Sequence, residues 1–319
     1  MHLPSVFLAG IAAVTMLGAA HDIAAAAEIA GASKATNDAP DFITLGTMGG
    51  PVGESGRSQP ANLIAAADGA WFVDVGDGAV QQMTRAGYHL PQVRGVFISH
   101  LHFDHIGGLS ALIGLRHQSN APGVLQIYGP PGTLALVDGL LASMAPSTEA
   151  GFGLPGAVRV DPATTVKVHE LRDNDTVALA GMNVTVAKNT HYSFHPGSEE
   201  DKKFESLAFR FDFPARSILF TGDTGPSERV VALGKGADLL VTEMIDVPAT
   251  VAAVQRINPK LSQANRDSMT KHLSAHHVNP TQVGEMATAM GVKKIVATHL
   301  VVTGADAARR QGYIDEIKV

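Results

Sequence analysis

The sequence predicts an α/β fold, a core of two sheets flanked by helices. Three observations carry it. Short apolar runs of strand type alternate with helical patterns; Gly, Pro and Asn mark the joints between them; and histidines and aspartates gather just after four of the strand runs. At 319 residues, 45% of them apolar, the chain can bury a substantial core.

In chain order, Met1 to about Ala27 pairs an apolar run (Val6 to Ala20) with the small-residue stretch Ala24–Ala27. That is the pattern of a cleaved export signal, although its start lacks Lys and Arg. Residues 28–40 read as a flexible N-terminal segment, and 41–319 as one continuous domain. Phe42-Ile43-Thr44-Leu45 is a strand entering the loop Gly46-Thr47-Met48-Gly49-Gly50. Ala70–Val75 is a second strand, stopped by Gly76-Asp77-Gly78, with a helix from Ala79 to Arg85. Val96-Phe97-Ile98 is a third, and Ile106, Leu109 and Ile113 fit one face of the helix after it. Val124–Tyr128 leads through Gly129–Thr133 into a helix carrying Leu136, Val137, Leu140 and Leu141. Pro146 to Gly156 reads as a surface excursion. Met182–Ala187, Ser217–Phe220, Leu239–Thr242 and Lys294–Thr298 are further strands. Asn279 as N-cap, Pro280 in the first turn and Gly291 as the stop bound a helix with Val283, Met286, Ala287 and Met290 on one face.

The segment Ser99-His100-Leu101-His102-Phe103-Asp104-His105 concentrates three imidazoles and two adjacent candidate ligands, Asp104 and His105, behind a strand. Imidazole nitrogen and carboxylate oxygen suit Zn²⁺ and similar first-row ions. Successive side chains leave the backbone in different directions, so Asp104 and His105 cannot both aim at an ion held by His100 and His102. A second ion resolves this. His191, Asp223 and His299 follow three other strands, as later ligands should in layered folds. His195 competes with His191 for the third place and is read as a loop residue, and His272 and His276 as exposed ones. The chain has no cysteine, which excludes disulfides, thiolate ligands and a Cys nucleophile.

In these residues the chain resembles the metallo-β-lactamase superfamily, through a His-x-His-x-Asp-His motif at His100, His102, Asp104 and His105. The resemblance runs from Phe42 to His299. It implies an αββα four-layer sandwich with the metal site at one edge of the two sheets. It also implies two divalent ions, expected to be Zn²⁺: His100, His102 and His191 on the first, Asp104, His105 and His299 on the second, and Asp223 bridging. Asp74 would steady the ligand loop. Within the superfamily the chain is similar to the branch of ribonuclease Z and the zinc arylsulfatases. The similarity lies in Leu45-Gly46-Thr47, Tyr128-Gly129-Pro130, Thr221-Gly222-Asp223-Thr224, Gly236–Leu240 and Ala275–Gln282. In the last block His277 aligns with a catalytic histidine, but Val278 and Asn279 replace the small hydroxyl residues of ribonuclease Z, and no basic Gly/Pro-rich arm is recognisable.

The resemblance implies a binuclear hydrolase that uses a metal-bridging hydroxide. Asp104 would orient that hydroxide and His277 would protonate the leaving group. The expected substrate is a small ester, a sulfate ester or a phosphodiester. A β-lactamase or lactonase is the alternative, followed by a tRNA 3′-processing endonuclease or a non-catalytic metal-binding protein. Glu243 is either a support for this site or a structural carboxylate. The export signal implies a periplasmic or secreted protein, with no membrane contact after cleavage. A net charge of −6 without a Lys/Arg run argues against a long nucleic acid as partner. A homodimer is expected from the resemblance alone. Pro146–Gly156 and Asp246–Lys271 are expected to wall the substrate pocket.

Overall fold

Alternation of side chains along the strands divides the interior into three apolar layers, and those layers define the architecture. The computed structural model describes residues 39–50, 56–300 and 307–318. The expected export signal, and all of the N-terminal segment but its last two residues, lie outside the described residues.

Twelve strands form two six-stranded sheets among the described residues. The first runs in spatial order β1 (Asp41–Gly46), β2 (Ala61–Ala66), β3 (Gly69–Val75), β4 (Val93–Phe97), β5 (Leu125–Gly129), β6 (Val166–Glu170). The second holds β7 (Thr176–Leu179), β8 (Met182–Lys188), β9 (Leu207–Phe213), β10 (Arg216–Phe220), β11 (Leu239–Met244) and β12 (Ile295–Leu300), also in spatial sequence. β1–β2–β3 pair antiparallel, and β3 through β6 pair parallel. β7 through β10 are antiparallel, and β10–β11–β12 parallel. A parallel bridge from Met48 to Leu300 joins the β1 end of one sheet to the β12 end of the other.

Trp71, Val73, Phe97, Tyr128, Phe209, Phe211, Ile218, Phe220 and Val241 point between the sheets. Their neighbours Ala70, Phe72, Val75, Val96 and Ile127 face the opposite side, against Met83, Leu109, Leu112 and Val137 of helices Ala79–Arg85, Leu109–Gln118 and Thr133–Ser143. Ala208, Leu219 and Leu240 likewise meet Val230, Val283, Met286 and Tyr313 on the outer face of the second sheet. The result is helix, sheet, sheet, helix, the αββα sandwich expected. Helix Pro280–Met290 has the expected ends, a capping box of Asn279 with Gln282 and Gly291 at φ 71°. None of the helices among the described residues is long and apolar enough to cross a membrane.

Two expectations need correction. The helix expected across Ile106–Ile113 is two helices, Phe103–Ile106 and Leu109–Gln118, so Asp104 and His105 lie within a first short turn rather than before a long helix. The break comes from close backbone approach at Gly108, whose N–H donates to the Val75 carbonyl and where a Cβ would lie 2.4 Å from the Gly76 oxygen. The segment around Pro146–Gly156 does not meet the ligands. Its Phe152 and Leu154, with Met144 and Val158, face Leu115 and His117 across a cavity of about 460 Å³ that touches no candidate ligand.

Phe97 is fully buried and joins both sheets, stacked on Tyr128 at 4.8 Å and edge-on to Phe211 at 5.2 Å and Phe209 at 5.6 Å. Replacing Phe97 with Ala should cost about 3–5 kcal/mol. A urea unfolding curve should show the midpoint falling accordingly.

Candidate metal centre

Three of the four ligand-bearing loops follow one rule: the ligand stands three residues past a strand end, His100 after Phe97, His191 after Lys188 and Asp223 after Phe220. The fourth, His299, departs from the expected place beyond its strand. It lies within β12 as an extra residue where pairing shifts between Glu243/Met244 and Thr298/Leu300, with φ 50°. The Thr47–Gly50 loop closes over it. A Cβ at Gly49 would lie 2.5 Å from His299 Nδ1, which makes glycine obligatory there, and the Gly50 N–H donates to Asp104 Oδ2 at 3.1 Å.

The structure brings all seven sequence-predicted ligands together. His102 Nδ1 lies 3.1 Å from His100 Nε2 and 3.0 Å from His191 Nε2. His105 Nε2 and His299 Nε2 lie 3.6 and 3.4 Å from Asp104 Oδ2. Between the two groups, Asp223 Oδ2 is 3.1 Å from His299 Nε2, 3.4 Å from His105, 3.9 Å from His100 and 4.0 Å from His191. Each triad holds its donor atoms within 4.8 Å of one another. His102 alone is exposed, so the centre opens on its side. His195 lies on an exposed loop outside the cluster.

These residues fit divalent cations on their own chemistry. A tetrahedral ion with Zn–N of about 2.0–2.1 Å spaces its nitrogens roughly 3.3 Å apart, close to the spacing found around His102. His105 Nε2 and both ring nitrogens of His299 are buried with no hydrogen-bond partner. A cation at the centre satisfies Nε2 of each ring, the nitrogen that faces Asp104 and Asp223.

Protonation states agree. Burial lowers His100 well below the usual imidazole range and His191 to about 3, so both present lone pairs. Burial alone would raise Asp104, but the facing His299 ring, 3.4 Å away, and the charge of His105 bring it to about 2. Asp223 is held well below the carboxylate range by His299 and His105, against the cost of burial. Burial also works against a charge on His105, yet Asp223 and Asp74 raise it well above its ordinary value; Asp223 and Asp104 also raise His299 against burial. A cation competes with those protons.

Around the ligands stands a supporting layer. Asp74, at φ 58°, accepts from the Ser99 N–H (2.7 Å), the Ser99 hydroxyl (2.8 Å) and His105 Nδ1 (2.8 Å), which turns His105 Nε2 toward the centre. His191 Nδ1 donates to the His276 carbonyl at 3.1 Å. Glu243, buried in β11, accepts from His277 Nδ1 at 2.5 Å and from the Thr224 N–H at 2.5 Å. The His277 ring lies 4.9 Å from His191 and 6.0 Å from His299. Helix Gln263–His276 begins inside the expected wall Asp246–Lys271, but the ring that approaches the centre, His272 at 5.9 Å from His191, lies just past that segment. The His276 carbonyl is invisible to sequence reasoning, since any residue supplies one. Glu243 could be found, as the lone carboxylate in Leu239-Leu240-Val241-Thr242-Glu243-Met244.

Two triads sharing one carboxylate, buried except at His102 and open to solvent on that side, define a metal-dependent hydrolase centre on a four-layer scaffold. The chain belongs to the metallo-β-lactamase superfamily, in its ribonuclease Z-like branch. Residues 72–300 match the beta-lactamase superfamily domain. Ribonuclease Z of Mycobacterium marinum (strain ATCC BAA-535 / M) is 27% identical over 264 residues, 81% of this chain and 86% of that protein. Two solved structures share the fold. The metallo-beta-lactamase fold protein YhfI from Bacillus subtilis has a TM-score of 0.60 at 18% identity, covering 87% of this chain and 90% of that one. The short form of human tRNase Z has a TM-score of 0.57 at 22% identity, covering 81% and 92%.

Asp74→Asn should weaken metal binding about 10- to 100-fold by releasing His105, with the thermal transition of the metal-free protein moving far less. Competition with a chromogenic chelator measures the first and calorimetry the second. Because His105 and His299 hold protons that a cation must displace, apparent affinity should rise from acid toward neutral pH, with proton release on binding. Titration calorimetry in buffers of different ionisation enthalpy counts those protons.

Proposed function

We propose that the protein is a zinc hydrolase of small phosphodiesters, exported to the periplasm or beyond. The observation that carries the reading is the Glu243–His277 pair beside the paired triads, in a chain whose curated relatives include ribonuclease Z. When bound, two divalent ions supply Lewis-acid charge and an activated water, chemistry suited to phosphoryl and sulfuryl esters. Asp104, ionised and facing His105 and His299, can accept a hydrogen bond from a nucleophile at the centre.

His277 has the opposite task. Burial lowers its pKa, but the Glu243 carboxylate more than offsets this and raises it to about 9. The ring is therefore a charged acid at neutral pH, held in one orientation through Nδ1, with Nε2–H left to protonate a departing alkoxide. Positive charge added at the centre moves that value down.

Small size follows from the surroundings. Val278 and Asn279 stand where ribonuclease Z has hydroxyl residues, and the net charge of −6 offers no track for a long polyanion. Aryl sulfates are the second substrate class, favoured by the block His276-His277-Val278-Asn279-Pro280-Thr281-Gln282, which resembles the arylsulfatase group.

Hydrolysis of a matched chromogenic panel by the zinc-loaded protein tests the reading: a phosphodiester, an aryl sulfate, a lactone and a cephalosporin. Turnover of the phosphodiester, or of the aryl sulfate, with the carbonyl substrates left intact is expected; the reverse selectivity rejects the proposal. His277→Ala should lower kcat about 10²- to 10⁴-fold for substrates with poor leaving groups. Activity should decline along an alkaline limb at or below pH 9 as His277 loses its proton. Glu243→Gln, which removes the charge that raises this pKa, should move the limb to lower pH.

A further inference from the structure

Helix Gln263–His276 is tied at both ends. Ser262 caps its start, accepting from the Asn265 N–H at 3.2 Å, and the His276 carbonyl at its end receives the His191 Nδ1 hydrogen bond at 3.1 Å. Anchoring the last turn sets which helix face looks toward the metal centre. Residues four apart stack along one face of a helix, and here those residues are His272 and His276. Their Nδ1 atoms approach to 2.7 Å and their ring centroids to 4.8 Å. His272 is exposed and His276 half-buried, so neither ring serves the core. Neither belongs to the seven ligands of the dinuclear centre. The His272 ring lies 5.9 Å from His191 and 5.7 Å from His277, at the rim of that centre.

Two imidazole nitrogens this close either share a proton or flank a cation. With metal–nitrogen bonds of about 2.0–2.1 Å, two nitrogens around a tetrahedral ion stand roughly 3.3 Å apart, an opening that a small turn about the side-chain bonds provides. The backbone supplies the chelate geometry in advance. We propose that His272 and His276 form a third metal site, at the rim of the dinuclear centre, for a first-row divalent cation that favours imidazole, Zn²⁺ foremost. With only two protein ligands, its remaining positions go to water or to an oxygen of an anionic ester at the mouth. It therefore binds its ion more weakly than the buried triads do.

Equilibrium dialysis of the full-length, metal-stripped protein against graded free Zn²⁺, with bound metal counted by atomic emission, tests this on wild type and His272→Gln. Wild type should take up one further equivalent at higher free Zn²⁺ than its tight equivalents. His272→Gln should lose that equivalent alone and keep the tight ones, which also shows that the variant is folded. Superimposable isotherms, or a weak equivalent that survives the substitution, overturn the proposal. An error in the dinuclear reading would instead change the tight equivalents in both proteins alike and leave the difference between them intact.

Discussion

One carboxylate oxygen organises the molecule's polar interior. Asp223 Oδ2 faces His299, His105, His100 and His191 from 3.1 to 4.0 Å, and all five side chains are buried. Charges are buried in a protein only when they are paired. The loops that carry them interlock accordingly. Gly222 sits at φ 59°, with the Leu207 carbonyl 2.8 Å and the Ser99 Cβ 2.9 Å from where a Cβ would stand. Asn189 donates to the Thr221 carbonyl at 2.9 Å, and the Leu207 N–H donates to the Ser99 carbonyl at 2.9 Å. Each ligand loop thus leans on another, and the position of Asp223 is shared by strands of both sheets.

The two sheets also repeat one device with different results. On β3 of the first sheet, Asp74 accepts from His105 Nδ1; on β11 of the second, Glu243 accepts from His277 Nδ1. In both, a carboxylate fixes the ring through Nδ1 and aims the other nitrogen. His105 points that nitrogen at Asp223 and becomes a ligand, while His277 stands outside both triads of its side of the centre and keeps a proton to give away. Placement decides which use the same pair of groups is put to. Two residues at or beside the ligands, Asp74 at φ 58° and His299 at φ 50°, sit in left-handed backbone that costs of order 1–3 kcal/mol each. The hydrogen bonds and close packing around them hold that conformation.

Much of this was legible in the sequence, for reasons that differ by element. His100 to His105 could be read because several metal-type donors crowd into one short stretch, and His191, Asp223 and His299 because each comes at or after an apolar run. Helix Pro280–Met290 announces itself through Asn279, Pro280 and Gly291. Strand β2, by contrast, carries Asn62 and three alanines, β6 carries Lys167, His169 and Glu170, and β7 is only four residues long, so their pairing is imposed by neighbours rather than by propensity. Strand β9 does alternate, with Leu207, Phe209, Phe211 and Phe213 buried, but no candidate ligand follows it to single it out. Helix Gln263–His276 buries none of its residues, so no apolar stripe marks it, although it stands at the site. The break at Gly107-Gly108 depends on how near Val75 and Gly76 come, which is a fact of three dimensions only.

The bridge between Met48 and Leu300 has a consequence for when this protein can become active. It joins the first strand of the domain to the last, and through Gly49 and His299 it places the finishing ligand against the opening loop. Contacts of such long sequence separation are the slowest to form. Until the ribosome has delivered β12, the second triad lacks a member and the Thr47–Gly50 loop lacks the surface it covers. A complete set of ligands is therefore a product of the fold closing on itself at this bridge, so metal supply alone does not decide when the second triad can bind.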